Sequence, residues 1–104
     1  MTYDLILDIL KNKGIPTFDL KAPAQYTEAV VGHTYSPKLL NGDDRVLMRI
    51  DRVQLDVLWK NSSKEFFEKV CDALDDMYIV YDIIDVSYDD EYLAMRGIIQ
   101  LEAV

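Results

Sequence analysis

The sequence predicts an α+β fold, a mainly antiparallel β-sheet with two flanking α-helices, and three observations carry that reading. Segments 3–13 and 65–76 place apolar residues at helical spacing. The stretches between and after them are rich in Val, Ile, Tyr and Thr, with apolar residues at alternate positions. Clusters of Asn, Gly and Asp separate neighbouring strands, which favours hairpins over long crossovers. The expected order is α-β-β-α-β-β, with a long loop in the first hairpin.

In the first helix, Leu5, Ile6, Ile9 and Leu10 form one stripe, and Asp4, Asp8, Lys11 and Asn12 take the opposite side. Thr2 is placed to cap it, Asp4 suits the positive end of its dipole, and Gly14-Ile15-Pro16 stops it. Residues 17–27, with Pro23 inside and Pro16 just before, read as an irregular or edge segment. Residues 28–36 read as a strand. The run Pro37-Lys38-Leu39-Leu40-Asn41-Gly42-Asp43-Asp44 reads as the long hairpin loop.

Segment 45–60 changes phase. Val46, Met48 and Ile50 are even-numbered, whereas Val53, Leu55, Val57 and Trp59 are odd-numbered. A strand has a period of two, so the sequence predicts either an extra residue near Asp51-Arg52 or an arm that leaves the sheet. In the second helix Ser62 and Glu65 have capping-box spacing, and Phe66, Phe67, Val70, Cys71, Leu74 and Met77 line one face. The remaining residues read as a hairpin that turns at 89–92. Pairing Tyr88 with Leu93 sets Val86 opposite Met95 and Val80 opposite Leu101, with Asp82 as the one exception.

The 104 residues are read as one domain, 1–104, large enough to bury roughly 60–68% of the unfolded surface. Nineteen acidic residues against 11 basic ones give a net charge of −8. That balance disfavours nucleic-acid readers, which need clustered Lys and Arg. No run reaches the ~18 apolar residues of a membrane span, and Met1-Thr2-Tyr3-Asp4 lacks a basic leader, so synthesis in a cytoplasm is expected. With Cys71 alone, no internal disulfide is expected.

Candidate chemistry is sparse, and no enzyme, metal or cofactor is expected. His33 is the only histidine, and no nucleophile-elbow, metal-ligand or phosphate-loop spacing occurs. Cys71 lies on the apolar stripe of the second helix and reads as a packing residue. What exceeds the needs of a core is apolar and aromatic: Tyr26, Tyr35, Leu39, Leu40, Leu47, Tyr78, Tyr81 and Tyr92. Such residues either fill the margins of the core or form an interface. For Leu39-Leu40, set inside a polar loop, the interface is favoured.

The block Tyr35-Ser36 through Asn41-Gly42-Asp43-Asp44-Arg45-Val46, then Val53-Gln54-Leu55-Asp56-Val57-Leu58-Trp59, resembles the tail terminator (tail completion) proteins of long-tailed bacteriophages. So do the Ser/Lys turn, the acidic amphipathic helix and the closing hairpin that follow. The resemblance implies a structural virion protein, made in the host cytoplasm and residing at the head–tail joint. It implies a hexameric ring that caps the tail tube protein, stops its polymerisation and offers a surface to the head's connector. DNA would pass through the ring without sequence-specific binding. The segment 36–51 falls where the family contacts its neighbours. The candidate interface is therefore His33, Tyr35, Leu39, Leu40, Asp43, Asp44, Arg45, Leu47 and Arg49. Two other readings stand beside it: a head-completion connector protein, and a small acidic cytoplasmic binding module.

Overall fold

The computed structural model describes residues 1–42, 45–61 and 63–103, and describes the backbone alone at 36–42 and 45–49. Helix α1 (Tyr3–Asn12) starts where expected: the Thr2 hydroxyl accepts a hydrogen bond from the Leu5 N–H at 3.2 Å. It closes on Gly14, whose φ of +80° suits a residue without Cβ, while the Ile15 N–H donates back to Leu10 O. Its buried residues are Ile6, Leu7 and Leu10; Leu5 is exposed, so the apolar stripe is turned by about one residue from the expected one.

Strand β1 (Thr17–Asp19) is a short edge strand that the expected order lacks, and it pairs in parallel with β2 (Glu28–Gly42). The sheet is therefore mixed, in the order β1-β2-β3-β5-β4, where β3 is Arg45–Trp59, β4 is Tyr81–Asp89 and β5 is Ala94–Ala103. Helix α2 (Glu65–Asp76) lies between β3 and β4 in the chain. The expected cap Ser62 is outside the described residues, and the Ser63 hydroxyl accepts from the Glu65 N–H at 3.2 Å.

The long loop expected at 37–44 is corrected. Residues 38–42 are strand, with Lys38 opposite Ile50, Leu40 opposite Met48 and Gly42 opposite Arg45. Asn41-Gly42, which reads as turn chemistry, belongs to the ladder. The phase change at Asp51 has a related correction. The extra residue sits on β2, where Ser36 and Pro37 face the single Asp51, and a second sits on β3 at Leu47. Proline has no N–H to give to a ladder, so the irregularity falls where a donor is missing. From Met48 to Trp59, β3 itself takes no extra residue. Met48 and Ile50 therefore occupy the opposite face of β3 from Val53, Leu55 and Val57.

Both helices pack on one face of the sheet. Val30, Val53, Leu55, Val57, Trp59, Ile99 and Leu101 meet Ile6, Leu7 and Leu10 of α1 and Phe66, Phe67, Val70 and Leu74 of α2. The Phe67 ring lies over Gly97, where an added Cβ would sit 2.3 Å from Phe67 Cε1, and its centroid is 5.6 Å from that of Trp59.

The closing hairpin has another register than expected: Tyr88 faces Met95, Val86 faces Gly97 and Tyr81 faces Leu101. A shift at Ile84 causes the difference, because one extra residue there returns Val86 and Tyr88 to the phase of Tyr81. Asp82 then falls on the helix-free face opposite Gln100, which accounts for its break in the pattern. Val80 precedes β4 and is 89% exposed rather than paired.

Candidate interaction surface

Three surfaces carry side chains or backbone beyond what the core uses. The first is the β4 edge. Tyr81 and Val86 pack against the core, whereas Ile83, Ile84 and Tyr88 are each more than half exposed. The Tyr81 hydroxyl donates to Asp75 Oδ1 at 3.0 Å, and burial, reinforced by that bond, pushes its pKa up. Next to it, Tyr78 follows the end of α2 with φ +57°, a conformation that glycine adopts more easily. Tyr78 is 94% exposed. Together with Met1, Val80 and Tyr81, it lines a groove of about 550 Å³ at the start of β4. A sheet edge bearing large apolar side chains is a template for another strand, and monomers usually blunt it.

The second surface is the ribbon made by the distal parts of β2 and β3. Strand β5 pairs with β3 only from Asp51 onward, and β1 reaches β2 only at 30–32. Among the described residues, 45–50 thus pair with β2 alone and run about 20 Å past the described end of β5 at 3.3 Å per residue.

The third is the helix-free face of the sheet. Here Tyr35, Arg52 and Glu102 lie side by side across the strands, as do His33, Gln54, Gln100 and Asp82. The His33 and Tyr35 rings are 6.2 Å apart. Deeper on this face Asp56, 4% exposed, is held by Arg96 Nη2 at 3.0 Å and Gln54 Nε2 at 2.9 Å. Arg96 Nη1 also reaches Asp89 Oδ2 at 3.2 Å. The Asp89 carboxyl is kept below the usual range by the Tyr92 N–H and then by the Glu91 N–H and Arg96. The network ties β3, β5 and the 90–93 turn together across the sheet.

The candidate residues are spread along β2 and β3 rather than gathered in one loop. His33 and Tyr35 are half-buried on the helix-free face. Leu39, Leu40, Arg45, Leu47 and Arg49 lie on the ribbon, where the backbone alone is described; Asp43 and Asp44 are outside the described residues. Cys71 is half-buried at the margin of the core, and burial pushes its thiol pKa up, which keeps it protonated near neutrality. Two features escaped the sequence reading. The consecutive Ile83-Ile84, which breaks a period of two, was the available sign of the exposed β4 edge. Asp56, lying between Leu55 and Val57 in a strand whose other face also holds Leu58, was the sign of a buried charge.

Among the described residues, no group of three His, Cys, Asp or Glu side chains is arranged to hold a metal ion. No helix among them is long and apolar enough to cross a membrane. No protein-family model matches the sequence, and no curated protein is similar to it at a significant level.

Proposed function

We propose that this chain is a structural assembly protein of a long-tailed phage: a tail terminator whose copies close into a hexameric ring on the end of the tail tube. Capping the tube stops its polymerisation, and the outer side of the ring receives the connector of the head. The observation that carries the reading is the pair of dissimilar surfaces on one subunit, an apolar sheet edge at β4 and a ribbon reaching past the sheet at 36–50. A cyclic ring needs two different patches, because each subunit meets its neighbours head to tail. The net charge of −8 suits a channel that DNA must traverse without adhering. A head-completion protein at the same joint would use the same two surfaces.

The acidic charge also suits a small binding module that mimics nucleic acid. Such a module works as a monomer, and the two readings part on that point.

Leu39 and Leu40 supply the test. They lie where β2 pairs with β3 alone, beyond the end of β5, so the isolated fold depends little on them. Burying each in an interface stabilises association by about 1.5–3 kcal/mol. Replacing both with Ser is expected to leave the melting temperature nearly unchanged. In electron micrographs of tubes grown from a phage tail tube protein, the wild type is expected to set a uniform length and the variant is not. A variant that caps tubes normally, or one that unfolds, would place these leucines in the fold and remove the ribbon from the interface.

A further inference from the structure

Strand β4 is the outer strand of the sheet, and its residues divide by face. Tyr81, Ile83, Val86 and Tyr88 lie opposite Leu101, Ile99, Gly97 and Met95, so they point to the side that carries the helices. Asp82, Asp85, Ser87 and Asp89 point to the helix-free side, and Ile84 is the extra residue where the phase changes. Of the helix-side group, Tyr81 and Val86 pack against the core, whereas Ile83 and Tyr88 stay mostly in solvent.

This edge is complementary to itself in one register. Opposed residues of an antiparallel pair share a face, so two copies related by a twofold axis must pair about a single residue. Ile84 drops out of the count, as it does against β5. Centring on Asp85 would set the two Asp85 side chains against each other, and centring on Ile83 would set Asp82 against Asp85. Like charges directly opposed destabilise a strand pair. Centring on Val86 avoids both. Ile83 then faces Tyr88 of the second copy, Asp85 faces Ser87, and Val86 faces Val86. The two exposed apolar residues meet as an aromatic and a β-branched side chain, a pairing that stabilises strands. Asp82 faces Asp89, whose carboxylate is already held by Arg96 at 3.2 Å and by the Glu91 and Tyr92 N–H groups.

From this we infer that two copies of the chain pair edge to edge through β4, centred on Val86, and join their five-stranded sheets into one. Main-chain hydrogen bonds along the edge give the association its strength, and the aspartates, which oppose the neighbouring registers, admit this one. The contact presents the same patch on both copies, so it stops at a dimer. It occupies the edge that the ring reading assigns to a head-to-tail contact. The dimer is therefore a store of subunits that must part before a ring closes; that role, unlike the pairing itself, rests on the ring reading.

In sedimentation equilibrium over roughly 0.01–1 mM, a range suited to so small an interface, the wild type is expected to form a dimer before any larger species. Ser87 tests the register, because it is exposed and faces Asp85 twice in the pair. Ser87→Lys is expected to tighten the dimer and Ser87→Asp to weaken it, each by about 3- to 30-fold, with unchanged circular dichroism spectra. Val86→Cys, on the twofold axis, is expected to cross-link into a dimer under mild oxidation. Asp85→Cys is not, since its two copies lie too far apart along the strands for a disulfide. The wild type, with Cys71 as its one thiol, is the control. Ser87 variants that leave the dimer unchanged, or a cross-link at 85 in place of 86, overturn the inference. A wild type that passes from monomer to ring without a dimer also overturns it and leaves the ring reading in place. A dimer that behaves as expected and never gives way to a ring upholds the pairing and removes the ring. A wild type that stays monomeric removes both.

Discussion

Arg96→Met is expected to destabilise the protein by about 3–5 kcal/mol and to lower the melting temperature by roughly 12–20 °C. Asp56 is buried and depends on Arg96 Nη2 at 3.0 Å, with Gln54 Nε2 as its other partner. Removing the guanidinium leaves a carboxylate in the sheet with one neutral donor, and an uncompensated buried charge is the costly case. The reverse deletion is milder. Asp56→Ala leaves Arg96 with Asp89 and with partial access to water, and costs about 1–2 kcal/mol. The double variant Asp56→Leu with Arg96→Met is expected to regain most of the stability, because an apolar pair replaces the ionic one. Thermal and urea denaturation of the three variants checks the order. Equal losses for the two single variants would mean that water reaches Asp56.

The second large effect is at Gly97. An added Cβ there would come within 2.3 Å of Phe67 Cε1 and 2.5 Å of Phe67 Cδ1. Phe67 is buried and packed at a tilt against Trp59, so the ring has little room to withdraw, and α2 must lift or β5 must bend. Gly97→Ala is expected to cost about 2–3 kcal/mol, as overpacking does in well-filled cores. Adding Phe67→Leu to Gly97→Ala should recover part of that loss, by making space at the contact. A Gly97→Ala protein as stable as the wild type would show that α2 yields at this contact without loss of packing. The low accessibility of this site contrasts with the β4 edge, where substitutions are expected to change assembly and leave folding nearly intact.

Much of the fold was legible because local chemistry and burial agree. Thr2, Gly14 and the helical stripe bound α1, and Phe66, Phe67, Val70 and Leu74 mark the buried face of α2. The alternation of Val53, Leu55, Val57 and Trp59 marks the central strand, and all four are buried. What was not legible depended on partners distant in the chain. Strand β1 is three residues long and exists because β2 lies beside it. Asn41-Gly42 is turn chemistry that the β2–β3 ladder overrides. The register of the last hairpin hinges on one residue, Ile84, which periodicity alone cannot identify as a bulge. Asp56 looks like a surface residue until Arg96, 40 positions away, is brought beside it.

For the candidate interface the balance differs. Apolar residues at 39–40 and the phase change within 45–60 mark the ribbon in the sequence, although the turn chemistry at 41–44 points to a loop over 37–44 where the ladder continues to Gly42. The β4 edge was missed, since Ile83, Ile84 and Tyr88 look like core residues until the helical layer is seen to cover only Tyr81 and Val86 there.

Native mass spectrometry of the purified wild-type chain over a concentration series tests the central claim, self-assembly, most directly. The account predicts multiples of the 12.0 kDa subunit that grow with concentration and end at a closed ring. A single 12.0 kDa species at every concentration up to about 0.5 mM, where even a contact of millimolar affinity becomes visible, would contradict it.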